Sequence, residues 1–280
     1  MALDLHDQWF RGLSELRLTR TTKRLRATRH GHLLVDTTDA LLVWEPRRVV
    51  PEYAVPPDAF AANGIELVDL PRRELPDGLP PVLGPLHFEL HTCPGTPVAV
   101  REGAPDDDAG GLVEVGFRPD DPDLGGRVVL DFALFDWVEE DQPVMGHAHD
   151  PWKRIDVLRS DRHVVVSLAG TVLAESRRAL AVYETALPTR WYLPVDDVRM
   201  DLLTPSQTHT VCAYKGRASY LGTGDDVGAD IAWFYPDPLD DAVRLQDHVA
   251  FWSERCEVLV DGERLTGGMP DAERPAAGSL

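Results

Sequence analysis

The sequence predicts a mainly β protein made of two tandem, small β-rich domains with short helical pieces. Three observations carry this. Proline and glycine are frequent and spread along the chain, 23 and 22 in 280 residues, which favours short elements and many turns over long helices. Apolar residues make up 43%, enough for a real core. And a set of short motifs recurs in the same order in both halves. Residues 36–45 align with 175–184, where Ala40, Leu41, Val43 and Glu45 match Ala179, Leu180, Val182 and Glu184, and the alignment carries on to Tyr53 and Tyr192. His91-Thr92 then matches His209-Thr210, with Cys93 near the place of Cys212. Residues 131–135 match 230–234, and 147–158 match 248–259. The first copy is longer between its blocks, and its extra residues fall in 70–85 and 103–126, which read as surface loops.

In chain order, residues 1–21 read as an N-terminal arm with a short helix, because Trp9, Phe10, Leu13 and Leu16 have helical spacing. The first β domain is placed at 22–151. Its expected strands cover 33–35, 40–44, 49–55, 86–92, 112–117 and the longer apolar run 128–135. The second domain is placed at 152–264. Strands are expected at 154–158, 163–168, 172–173, 190–193, 218–221, 229–235, 248–252 and 256–260. Residues 179–185 fit a strand or a short helix, 194–198 a helical turn, and Asp261-Gly262 a tight turn. Residues 265–280, rich in glycine, proline and alanine, read as a disordered tail.

Charge and cysteine usage narrow the function classes. A net charge of −19 repels phosphate backbones, so no nucleic-acid role is expected. The one basic run holds Arg17, Arg20, Lys23, Arg24, Arg26 and Arg29 and reads as a solvated edge that offsets the acidic body. Cys93, Cys212 and Cys256 are too few and too irregularly spaced for a disulfide framework or a cysteine zinc site. No leader-like or membrane-spanning apolar stretch is found, so the expected location is the cytoplasm, with no membrane partner. His147, His149 and Asp150 stand at the join of the domains and are not read as a metal site. Gly222 and Gly224 lack the strand–turn–helix setting of a dinucleotide site.

Chemistry is densest at 208–220, which holds His209, Thr210, Cys212, Lys215, Gly216 and Tyr220. A nearby ammonium lowers a thiol's pKa, so Lys215 can make Cys212 a nucleophile if a turn at Gly216 brings the two together. The plainer reading is a core cysteine beside a surface lysine. Glu184, in apolar surroundings like Glu45, fits an acid/base group or a structural anchor for amides or an arginine. Trp191, Tyr192, Tyr220, Trp233, Tyr235 and Trp252 fit either core packing or the wall of a ligand groove.

The second copy carries Val172-Leu173-Ala174-Glu175-Ser176, Glu184, Trp191-Tyr192-Leu193-Pro194, Asp197-Val198, Cys212-x-x-Lys215-Gly216, Ala218-Ser219-Tyr220, Ala232-Trp233-x-Tyr235-Pro236-x-Pro238 and Val249-Ala250-Phe251. Over about 152–264 it resembles the bacterial family catalogued as domain of unknown function 427, and residues 22–150 resemble a diverged member. The resemblance implies a β-tent-like domain that holds ligands in an aromatic-lined groove, and no particular activity. The family carries a nucleotidyltransferase-like label, but the sequence has no Gly-Ser plus paired-aspartate signature. The family's proline after the cysteine is Ala213 here. In the first copy Cys93-Pro94 runs into Gly95-Thr96 in place of Tyr-Lys-Gly. The leading expectation is a small molecule in an aromatic and polar groove of the second domain, formed by Tyr192, His209, Cys212, Lys215, Tyr220, Trp233 and Tyr235, with Lys215 meeting an anionic group and the aromatics covering the apolar part. One alternative is an enzyme with Cys212 as nucleophile and Glu184 or His209 as acid/base. The other is a structural or protein-interaction module. No cofactor or protein partner is read from the sequence.

Overall fold

Side chains alternate across short strands, so each strand buries one set of residues on each side of its sheet. The computed structural model describes residues 2, 4–75, 77–85, 87–101, 111–224 and 228–265. The chain divides into two compact units, Met1–Asp150 and Pro151–Leu280, and it is mainly β. The first unit has helix α1 (Leu5–Arg11), β1 (Arg17–Thr21), β2 (Leu25–Arg29), β3 (His32–Thr37), β4 (Ala40–Trp44), β5 (Glu52–Val55), α2 (Asp58–Ala61), β6 (Leu67–Asp69), β7 (Gly95–Arg101), β8 (Leu112–Pro119), β9 (Val128–Leu130), β10 (Asp136–Glu139) and β11 (Gln142–Val144). The second has β12 (Ile155–Arg159), β13 (Val164–Leu168), β14 (Thr171–Ser176), β15 (Leu180–Glu184), β16 (Arg190–Pro194), β17 (Thr204–Cys212), β18 (Gly216–Gly222), β19 (Ala232–Phe234), β20 (His248–Phe251), β21 (Glu257–Val260) and β22 (Glu263–Arg264).

Each unit pairs a seven-stranded sheet with a four-stranded one. The orders are β1-β4-β5-β9-β8-β7-β6 with β11-β10-β2-β3, and β12-β15-β16-β20-β19-β18-β17 with β14-β13-β21-β22. In the second unit Trp191 and Leu193 of β16 pack with Val164 and Val166 of β13 and Val258 and Val260 of β21, so this face lies between the sheets. The residue between them, Tyr192, faces the other way. It packs with Leu180, Val182, Ala218, Tyr220, Trp233 and Ala250, under Ala242 and Leu245 of the 3-10 segment Asp240–Leu245. A fully buried leucine such as Leu193 or Leu245 contributes about 1.5–3 kcal/mol, and both faces of the seven-stranded sheet carry such a buried cluster.

Several expectations need correction. Residues 17–21 are not part of a separate arm. They form the edge strand β1, which pairs with β4. The strand expected at 86–92 does not form among the described residues 87–92, and the run 128–135 breaks after β9. There the Asp131 side chain accepts from the Ala133 amide at 3.0 Å and starts a 3-10 turn, Phe132–Leu134. The strand expected at 49–55 shrinks to β5.

The alignment of Tyr53 with Tyr192 is off by one. Leu41 pairs with Ala54, and Leu180 pairs with Tyr192. Tyr192 therefore corresponds in register to Ala54, while Tyr53 points between the sheets, where its hydroxyl donates to Glu139 at 2.7 Å. A slip of one residue moves a side chain to the opposite face. The blocks 131–135 and 230–234 also fall on different elements, a 3-10 turn and β19, and 147–158 does not correspond to β20 and β21.

The basic run is tied within the first unit. Arg17 donates to the Arg48 carbonyl and Arg29 to that of Leu134, while Arg20, Lys23, Arg24 and Arg26 pair with Asp39, Glu139, Asp36 and Asp141. The acidic stretch 103–110 and the expected tail from 266 lie outside the described residues. No helix among the described residues is long and apolar enough to cross a membrane.

Candidate functional site

Glu184 ends β15. It shares the outer face with Leu180 and Val182 because it stands four and two residues from them. Lys215 comes from the turn between β17 and β18. That turn is held by Gly216 at φ +100°, where an added Cβ would sit 3.2 Å from the Asp237 carbonyl. It is also tied by the Leu239 amide, which donates to the Lys215 carbonyl at 3.2 Å. The ammonium of Lys215 donates to the Glu184 carboxylate, and both side chains are buried. Burial alone would lower the Lys215 pKa, but its anionic surroundings outweigh this and raise it. Glu184 is the partner that matters, because burial pushes the Tyr192 phenol up to about 12 and so keeps it neutral.

Tyr192, Cys212, Tyr220, Trp233 and Tyr235 share one cluster on this face. Trp233 Nε1 donates to the Tyr192 hydroxyl at 3.0 Å, and the two rings meet edge to face. Thr210 Oγ1 and the Tyr220 hydroxyl are 3.0 Å apart. Burial pushes the Tyr235 phenol upward as well. The hydrogen-bonding capacity here is only partly used. Lys215 has three protons and donates one, to Glu184. Neither the Tyr235 hydroxyl nor the Cys212 thiol forms a hydrogen bond among the described residues.

His209 does not join this group. On β17 the residues Thr208, Thr210 and Cys212 are partly buried, while His209 and Val211 between them are exposed. The His209 ring instead lies 3.3 Å from the Ala218 carbonyl and the Ser219 hydroxyl. Trp191 also faces away, into the core between the sheets. One residue that the sequence reading passed over belongs at the edge of the site. Arg190 packs over Trp233 and Trp252, with its guanidinium 5.9 and 5.0 Å from the ring centroids, and forms two bonds with Glu254. It stands two residues before Tyr192, and this period-2 spacing was the available signal.

The first unit has a different arrangement on its outer face. Glu45 follows Leu41 and Val43 as Glu184 follows Leu180 and Val182. It accepts from His91 Nδ1 at 2.7 Å, from the Thr92 amide at 2.6 Å and from the Cys93 thiol at 3.6 Å. His91 stacks on Phe117 with centroids 4.1 Å apart. Burial would raise the Glu45 pKa, but the bond to His91, its charge and that of Arg48 outweigh it and hold the pKa low. Burial pushes the Cys93 thiol up, and Glu45 adds to this. Cys256 is buried and pushed up to about 11. Cys212 is the least buried of the three free cysteines. His147 Nδ1 lies 2.7 Å from the Ala148 carbonyl. Among the described residues no group of three or more His, Cys, Asp or Glu side chains is placed to hold a metal ion.

Residues 156–262 match the model of a family described as a domain of unknown function, DUF427. The match covers most of the second unit and includes Glu184, Tyr192, Cys212, Lys215, Tyr220, Trp233 and Tyr235. No curated protein matches the chain.

Proposed function

We propose that the second unit binds a small polar molecule on the outer face of its seven-stranded sheet, beside the Glu184–Lys215 pair. One observation carries this reading. A buried ion pair stands in a cluster where the Cys212 thiol and the Tyr235 phenol form no hydrogen bond among the described residues and the Lys215 ammonium donates only one of its protons. Buried polar groups are costly unless something satisfies them, and a ligand that supplies the missing partners recovers that cost. Lys215 and Glu184 already balance each other in charge. The reading therefore favours a ligand that presents both donors and acceptors to the pair over one that presents an anionic group to Lys215. Trp233, Trp252 and Tyr220 would cover its apolar part.

A second reading rests on the lesser burial of Cys212. Here it is a nucleophile, with Glu184 as the group that takes the proton, since His209 is on the other face. We also propose that the first unit is a diverged copy of the second and that the protein works in the cytoplasm. The shared sheet orders and the matching pairings of Leu41 with Ala54 and Leu180 with Tyr192 support the common origin.

The test is a thermal-shift screen of small polar metabolites, followed by alkylation of each cysteine with and without each hit. A true ligand raises the melting temperature, slows alkylation of Cys212 but not of Cys93 or Cys256, and loses both effects in Tyr235→Phe. Hits whose effect survives Tyr235→Phe and leaves Cys212 unprotected sink the binding site. Rapid alkylation of Cys212 alone, with an apparent pKa well below about 8.5, favours the nucleophile instead.

A further inference from the structure

We propose that the first unit holds a separate ligand site, a small aromatic corner that takes an organic cation of the quaternary-ammonium class. It lies where the 3-10 turn Phe132–Leu134 meets the hairpin β10–β11. A cavity of about 330 Å³ opens there, and its lining includes Phe132, Phe135, Asp136, Trp137, Val144 and Met145. That volume is at the small end of ligand pockets, the size for one ring or a trimethylammonium group.

The corner is rigid. The Trp137 indole donates to the Phe132 carbonyl at 2.9 Å. Its ring stacks on Phe132, with centroids 5.6 Å apart and planes at 14°, and meets Phe135 at 62° with centroids 5.5 Å apart. Tyr53 packs on the same indole at 4.6 Å and backs it from the core. The rings of Phe132, Phe135 and Trp137 are 3–8% exposed, so the corner is preformed, and a ring face that borders the cavity attracts a cation without rearranging.

Charge selects the same occupant. Asp136 stands in the lining, exposed, with no ion pair or hydrogen bond among the described residues. Among the described residues no lysine, arginine or histidine lines the cavity. The nearby Arg29 donates to the Leu134 carbonyl at 3.1 Å. The whole chain carries −19, which concentrates cations and repels anions. A neutral apolar guest would leave the carboxylate unused, and an anion would meet it directly.

The experiment is a titration of the full-length protein with choline chloride, followed by NMR at the Trp137 indole N–H, which is assigned by its loss in Trp137→Phe. The neutral isostere 3,3-dimethylbutan-1-ol is titrated in parallel. Saturable movement of the Trp137 signal with choline is expected, with about tenfold weaker binding of the neutral isostere. Asp136→Asn should weaken choline severalfold and leave the isostere unchanged, and Phe135→Leu should weaken both. Asp136 is at the surface, so its variant reads out the charge even if Phe135→Leu fails to fold. No saturable shift up to tens of millimolar choline overturns the site. Equal affinity for choline and its isostere overturns the cation.

Discussion

Glu45 and Glu184 stand at the same place on the outer faces of their sheets, each two residues beyond a buried valine, and they are satisfied in different ways. Glu45 is met by an imidazole, a backbone amide, a hydroxyl and a thiol, four donors for one carboxylate. Glu184 is met by one ammonium, in a cluster where the Tyr235 hydroxyl and the Cys212 thiol form no hydrogen bond among the described residues. A saturated carboxylate anchors the chain, here the segment that leads into β7. An unsaturated one leaves room for a guest. The two outer faces thus share a scaffold and differ in what remains to be bound.

The largest test of this contrast removes each carboxylate. Glu184→Gln strands a buried ammonium and should cost about 3–5 kcal/mol in denaturant unfolding. Glu45→Gln should cost less, about 1–3 kcal/mol, because the amide oxygen still accepts from the donors around it and no ammonium is stranded. Equal losses would break the comparison. Replacing the pair together, Glu184→Leu with Lys215→Met, should recover most of the stability that Glu184→Gln loses.

Next in size is the dependence on pH, with opposite signs for Glu45 and for the groups around Glu184. Tyr192 and Lys215 both have folded pKa values above their unfolded ones. Their contribution is complete below the unfolded values of about 10 to 10.4 and is lost as the pH rises beyond them. For Tyr192, buried and shifted to about 12, the loss is on the order of 2–3 kcal/mol. Glu45 has a depressed pKa, so its contribution is present above an unfolded value of about 4.3 and is lost as the pH falls. Glu45→Gln should flatten the acid loss of stability followed at Trp137, and Tyr192→Phe should flatten the alkaline loss followed at Trp233. An unchanged pH profile in either variant would undo the assignment.

Smaller effects sharpen the second site. Gly216→Ala forces a side chain into φ +100° against the Asp237 carbonyl and should cost about 1–3 kcal/mol, as a lower unfolding midpoint. Tyr192→Phe removes the acceptor of the Trp233 indole and should cost about 1 kcal/mol. A loss of the Trp233 N–H signal position without change elsewhere on the sheet is the accompanying sign.

Much of this site was legible because strands alternate. Tyr192, Tyr220 and Trp233 were grouped from residue type, and the pairing of β16, β18, β19 and β20 brings them together. Lys215 and Gly216 were read together as a turn, and that turn carries the lysine to Glu184. The choice of Glu184 as its partner was not legible. It depends on the crossing of β15 and the turn, which are 31 residues apart. The inclusion of His209 was an avoidable miss, since alternation from Cys212 already places it outside. Tyr53 was misaligned because the connection from β4 to β5 is longer than that from β15 to β16, and spacing along the chain does not reveal register. The strand expected at 86–92 failed for another reason. Its carbonyls at His87, Phe88 and Leu90 are taken by the buried Arg48 guanidinium, and no neighbouring strand has them.

Strand β16 has a consequence for how this protein can change over time. Its successive residues Arg190, Trp191, Tyr192 and Leu193 serve the site and the core by turns. Inserting or deleting one residue within it would exchange the two sets and damage both at once. Substitutions can be tried one face at a time, but length is fixed. Variation in length is left to the connections, and it is there that the two units differ in length.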